Sequence, residues 1–121
     1  MRKYLLHVLI ISFVFLLAPT AHVATYAGEL EDAKEEVRNN PDDAIAHRNL
    51  GFAYDELGRY QEAIKSYKQA IRIDPDYAKA HYNLGLAYCG SEDRGSALEQ
   101  YKILKSLDTE LANKLFNAIY E

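Results

Sequence analysis

The stretch His81–Gly90, HYNLGLAYCG, repeats one that stands 34 residues earlier, His47–Glu56, HRNLGFAYDE. Over Ala44–Tyr54 against Ala78–Tyr88 eight of eleven positions are identical, and over Ala44–Tyr77 against Ala78–Leu111 twelve of thirty-four. The shared residues, among them Leu50/Leu84, Gly51/Gly85, Ala53/Ala87, Ala63/Ala97 and Tyr67/Tyr101, are mostly small or apolar. Self-similarity at such a period indicates a helical solenoid, in which each unit buries its apolar face against the next.

Within one unit Ala46, Leu50, Ala53 and Leu57 recur at helical spacing, and Gly58 is placed to end that helix in a left-handed conformation. Tyr60, Ala63, Ile64, Tyr67, Ala70 and Ile71 make a second stripe, which the Asp74–Pro75–Asp76 sequence ends, because a residue before proline is pushed out of the helical region. Two helices joined by a short turn form an antiparallel hairpin. Gly51 and Ala63 are small where the two helices approach closely.

At these residues the sequence resembles the tetratricopeptide repeat (TPR) family. The family pattern reads here as His47, Leu50, Gly51, Tyr54, Ala63, Tyr67, Ala70 and Pro75, departing only in the histidine that stands for tryptophan. The second unit keeps His81, Leu84, Gly85, Tyr88, Ala97 and Tyr101, but has Leu104 for the alanine, Thr109 for the proline, and Glu92 and Arg94 where the turn usually carries glycine and tyrosine. The flanks stay in phase. Pro41 lies 34 before Pro75, so residues 29–43 read as half a unit, with Leu30, Ala33 and Val37 on its apolar face. Ala112 and Asn117 lie 34 after Ala78 and Asn83, so residues 112–121 read as a first helix that closes the array. The resemblance implies an all-α fold, a short right-handed α-solenoid of two full units, 44–77 and 78–111, between single helices.

Residues 1–27 are a different material. They hold two of the fourteen Lys and Arg and none of the eighteen Asp and Glu. Arg2 and Lys3 precede an apolar run from Leu5 to Ala18, after which Pro19 is expected to break the helix. This is the layout of an export signal, with small residues at Thr25 and Ala27 for cleavage. The run spans roughly 21 Å at about 1.5 Å per residue, short of the ~30 Å hydrocarbon core. An uncleaved anchor over Tyr4–Ala24 also fits. Either way the remainder is expected outside the membrane, in the periplasm or on the outer face if the source is bacterial.

That remainder carries a formal charge of −6, which repels phosphates and argues against nucleic acid as a partner. With Cys89 as the only cysteine, no internal disulfide can form. Cys89 reads either as a spare thiol at a helix end or as an intermolecular cross-link. His47 and His81 occupy equivalent positions of adjacent units, where the family packs an aromatic ring, and no Cys or carboxylate recurs beside them at ligand spacing. No metal or cofactor is expected. Nor is an enzyme, since no paired carboxylate, Ser/His or phosphate-loop pattern is present.

The resemblance implies binding of a protein partner, a peptide or a helix, on a concave face built from the first helix of each unit. The second, fifth and ninth residues of a unit would face it: Ile45, Arg48 and Phe52; Lys79, Tyr82 and Leu86; Asn113, Phe116 and Tyr120. Phe116 and Tyr120 fit the groove and the packing of the closing helix equally well. Asn49, Asn83 and Asn117 form a polar ladder able to bond a peptide backbone. The family's carboxylate-clamp subgroup, which grips the C-terminal acid of chaperones, is not matched: Phe52 replaces one of its asparagines, and Asn113 and Asn117 stand where bases are expected. The function implied is an exported or envelope-associated adaptor. The alternative is a membrane-anchored or self-associating structural subunit of an envelope complex.

Overall fold

The computed structural model describes the backbone of residues 2–121 and the side chains of residues 21–121. Six helices are present among the described residues: α1 (Arg2–Asn39), α2 (Ala44–Glu56), α3 (Tyr60–Ile73), α4 (Ala78–Gly90), α5 (Arg94–Leu107) and α6 (Thr109–Tyr120). Each packs on the next in chain order, and α6 also packs on α4. No strand occurs among the described residues, as expected for an α-solenoid. One expectation fails at the start: α1 runs unbroken past Pro19 rather than ending there. The expected leader lies largely outside the residues with described side chains, and among the described residues no helix is long and apolar enough to cross a membrane.

The short loops follow from local chemistry. Asp43 caps α2 by accepting from the Ile45 amide at 2.9 Å, Asp93 caps α5 through Ser96 at 3.0 Å, and Asp108 caps α6 through Leu111 at 3.0 Å. The two hairpin turns share one bonding pattern. In the first, Gly58 N donates to Asp55 O and Arg59 N to Tyr54 O; in the second, Glu92 N donates to Cys89 O and Asp93 N to Tyr88 O. Both turns need a residue with positive φ: Gly58 supplies 68°, and Glu92 supplies 63° despite its side chain.

Three apolar clusters run along the array. Leu30 and Ala33 of α1 meet Ala53 of α2; Ala63, Ile64 and Tyr67 of α3 meet Leu84 and Ala87 of α4; Ala97 and Leu104 of α5 meet Ala112, Leu115 and Ile119 of α6. Tyr67 is fully buried in the notch that Gly51 leaves, where a methyl on Gly51 would lie 2.5 Å from the ring. Gly51 is small for the expected reason, a close approach of the two helices.

The closing helix departs from the repeat. On α2 and α4 the third and seventh residues, Ala46/Leu50 and Ala80/Leu84, are buried or half-buried, but on α6 their counterparts Lys114 and Ala118 are exposed, while Leu115 and Ile119, counterparts of the buried His47/His81 and Gly51/Gly85, stay buried. Helix α6 therefore keeps one part of the repeat's buried stripe and leaves the other uncovered. Leu115 enters the notch of Gly85, so Tyr101, the counterpart of Tyr67, is only half-buried.

Candidate functional site

The structure divides the expected groove residues into two groups. On α2, Ile45 and Phe52 are 54% and 50% exposed, large apolar side chains left in water. Lys79 on α4 is exposed as well. By contrast Tyr82 and Leu86 are half-buried, packed against the cluster that α6 completes. Phe116 and Tyr120 are exposed at 42% and 56% but lie along α5: the Phe116 ring sits 5.3 Å from that of Tyr101 and 4.6 Å from that of Tyr120, and the Arg94 guanidinium lies 5.8 Å over Tyr120. The ladder Phe52, Leu86, Tyr120 is thus not one surface. Its open apolar part is on α2, and α6 covers the part on α4.

The polar ladder is divided in the same way. Asn49 is engaged, donating from Nδ2 to Glu36 Oε2 at 3.3 Å and accepting from Arg48 Nη2 at 2.8 Å. Arg48 is thereby held along the surface, with its Nε buried and unpartnered. Asn83 is half-buried, while on α6 Asn117 is exposed, as is Asn113 at the position of the exposed Ile45 and Lys79.

Between α1 and α2 runs a cleft of about 290 Å³. Glu29, Asp32, Ala33 and Glu36 line it from α1; Asn49, Phe52 and Ala53 line it from α2. Its floor is apolar and its rim carries three carboxylates. Asn49 and Phe52 are expected at a binding face from the sequence, whereas Glu29, Asp32 and Glu36 are not singled out there. The repeat holds the missing signal: 34 residues later the same positions are Ala63, Ser66 and Ala70, all buried.

A second cleft, about 550 Å³, opens where α4 ends, lined by Cys89, Glu92, Arg94, Ala118, Ile119 and Glu121. Burial pushes the Cys89 thiol up, with Arg94 opposing it, so the thiolate needed for nucleophilic chemistry is disfavoured. The two histidines hold the chain. His47 Nε2 lies 2.8 Å from the Pro41 carbonyl, His81 Nε2 lies 2.8 Å from the Pro75 carbonyl, and His81 Nδ1 is 2.8 Å from Gln100 Oε1. A carbonyl can only accept, so Nε2 carries the proton and donates in both units. Each ring ties the start of a first helix to the proline turn before it. No group of three metal-ligating side chains occurs among the described residues.

The family model described as TPR repeat matches residues 54–90, and that described as tetratricopeptide repeat matches 33–65. No curated protein matches the chain. Solved structures do. The TPR2B domain of yeast Sti1 in complex with an Hsp70 peptide superimposes with a TM-score of 0.73 at 24% identity, over 80% of this chain and 82% of that one. The second TPR domain of human RPAP3, in complex with an HSP70 peptide, gives 0.73 at 23% over 81% and 83%. The TPR domain of Arabidopsis OM64 gives 0.74 at 18% over 84% and 86%. At these identities the likeness is one of fold, and the fold is a TPR solenoid.

Proposed function

We propose that this chain is an exported or envelope-associated adaptor that holds a segment of a partner protein against the open face of its first unit. The observation that carries the reading is the pair Ile45 and Phe52, large apolar side chains about half exposed on one helix. Clustered exposure of this kind marks interaction surfaces on soluble domains. The solenoid supplies a rigid frame for it, and the similar domains of Sti1 and RPAP3 hold Hsp70 peptides on the same fold. The residues of this chain do not reproduce a clamp for a C-terminal carboxylate, since Phe52 and the outward Asn113 and Asn117 occupy its positions. An apolar or amphipathic segment suits the face better.

Affinity capture from the cell envelope of the source, with the N-terminus of the recovered protein read in the same run, tests partner, compartment and leader together. Ile45→Asp with Phe52→Asp is expected to abolish capture while the thermal midpoint stays within about 2 °C. Capture unchanged by both substitutions would reject this face. A mass that rises with concentration and no second protein in the capture would favour the self-associating structural subunit.

A further inference from the structure

Among the described residues helix α1 packs on α2 alone and presents a further face that no helix covers. In the first full unit Ala63, Ser66, Tyr67 and Ala70 of α3 are buried in the helix that packs on both α2 and α4, with Tyr67 in the notch of Gly51 and Ala63 and Tyr67 also in the cluster with Leu84 and Ala87 of α4. Thirty-four residues earlier these positions are Glu29, Asp32, Ala33 and Glu36, and these four line the α1 side of the cleft that Phe52 floors. The cleft is therefore the place where a first helix would lie on α1 as α2 lies on α3. Resting on the reading of the chain as a protein-binding adaptor, we propose that this slot takes a basic amphipathic helix of a partner protein, which docks as the missing first helix of the preceding unit.

The chemistry of the slot selects that occupant. Its floor, Ala33, Phe52 and Ala53, asks for an apolar stripe, and Phe52 is half in water until one arrives. Its rim replaces three uncharged residues by carboxylates, and none of Glu29, Asp32 and Glu36 forms an ion pair with a lysine or arginine among the described residues. The three stand at helical spacing i, i+3, i+7, a line of about 10 Å at 1.5 Å per residue. Lysines or arginines at matching spacing on a helix lying along α1 would reach all three, and docking would strengthen each pair by excluding water. An acidic or wholly apolar helix would bury carboxylates without partners, which is costly.

A second copy of the chain fits less well. Its exposed basic line at this spacing is Lys65, Lys68 and Arg72 on α3, a helix already held between α2 and α4, with Lys68 set over the Tyr88 ring. That outer face has no large exposed apolar side chain to set on Phe52. A solubilising end face would account for the carboxylates, since terminal repeats carry polar outer surfaces. It gives no reason for a half-exposed phenylalanine lining the same cleft.

The test uses three labelled synthetic peptides of about 18 residues with the full chain: an amphipathic helix of leucines and lysines, the same helix with glutamates for lysines, and a scrambled leucine–lysine peptide of equal composition. Fluorescence anisotropy is expected to show binding of the first alone, weakening with salt. Glu29→Lys, Asp32→Lys and Glu36→Lys together should weaken it at least tenfold and make the glutamate peptide the preferred ligand. Phe52→Ser should weaken the lysine peptide without that exchange. Binding of the scrambled peptide equally well, or insensitivity to the charge reversal, would overturn the slot. Failure of the lysine peptide to bind would leave a solvated end face, and the adaptor reading would survive if Ile45 and Phe52 still governed envelope capture. Concentration-dependent mass abolished by Lys65→Glu and Arg72→Glu would make the occupant a second copy and overturn the proposal.

Discussion

Leu115 stands against Gly85 as Tyr67 stands against Gly51 one unit earlier, so an aliphatic side chain from the closing helix takes the notch that an aromatic ring of the same hairpin takes in the first unit. The two glycines answer to different neighbours. At Gly51 a methyl would press on a fully buried, rigid ring, and we expect Gly51→Ala to lose about 1–3 kcal/mol to overpacking, against about 1 kcal/mol gained in helix propensity. At Gly85 the added methyl meets the tip of Leu115, so Gly85→Ala is expected to be milder and to loosen α6 first. Leu115→Ala should cost about 2–5 kcal/mol alone and less on the Gly85→Ala background, a coupling that a double-mutant cycle in urea melts would read. Additive losses would sink the shared notch.

Glu92 adopts the left-handed conformation that Gly58 adopts in the equivalent turn. For a residue with a Cβ this costs about 1–2 kcal/mol. Glu92→Gly is therefore expected to stabilise by up to about 1 kcal/mol after the entropy of glycine is subtracted, and Gly58→Ala to destabilise by about 1 kcal/mol. Denaturant midpoints measured on both variants check the pair, and the same sign for both would contradict the turn geometry.

Tyr67 donates from its hydroxyl to Asp55 Oδ2 at 3.1 Å in a site closed to water, and burial followed by the charge of Asp55 pushes its phenol well above the usual tyrosine range. The folded chain therefore keeps this proton when the unfolded chain, with tyrosines near pH 10, gives it up. Stability is fully present below about pH 10 and is lost as the pH rises beyond it, by at most about 1.4 kcal/mol per pH unit from this group. Chemical denaturation between pH 8 and 11 should show that slope, and Tyr67→Phe should flatten it while lowering stability at pH 7, where Asp55 loses its donor. An equal slope in both proteins would refute the assignment.

The hairpins were legible in the sequence because their information is local and doubled. The stripes Ala46–Leu50–Ala53 and Ala63–Ile64–Tyr67–Ala70, the glycine at 58 and the proline at 75 each specify geometry by themselves, and the repeat says it twice. The burial of α6 was not legible from the repeat alone, because Lys114 and Ala118 stand exposed where Ala46/Leu50 and Ala80/Leu84 are covered. Burying Lys114 in the place of Ala46 and Ala80 would strand an ammonium, whereas Leu111, Ala112, Leu115 and Ile119 offer a continuous stripe. Lys105, standing where the first unit has Ile71, likewise spoils the surface that a regular next helix would use. The acidic face of α1 was missed for a related reason: a charge reads as solvated until its counterparts Ala63, Ser66 and Ala70 are known to be buried.

His47 and His81 each donate to the carbonyl of a proline six residues earlier. Removing a ring leaves that carbonyl without its partner and a gap beside the turn, so His47→Ala and His81→Ala should each cost about 1–3 kcal/mol. The loss at His81 is expected to be the greater, because Gln100 is released as well. Urea titrations with and without zinc measure both the loss and the absence of any metal contribution. Stabilisation of the wild-type chain by zinc that disappears in either variant would reverse the structural assignment.

Leu86 and Phe52 hold the same position in successive units, but α6 covers the first and leaves the second open. Substituting them should therefore have opposite consequences. Leu86→Ala removes half-buried apolar contacts with the α6 cluster and is expected to lower stability by about 1–2 kcal/mol, with earlier loss of α6 amide protection in hydrogen exchange. Phe52→Ala removes a side chain that is half in water, and is expected to change stability by less than about 1 kcal/mol while weakening partner capture. If instead Leu86→Ala abolished capture with α6 protection unchanged, the binding face would extend across α4, and α6 would have to leave Tyr82 and Leu86 when the partner binds.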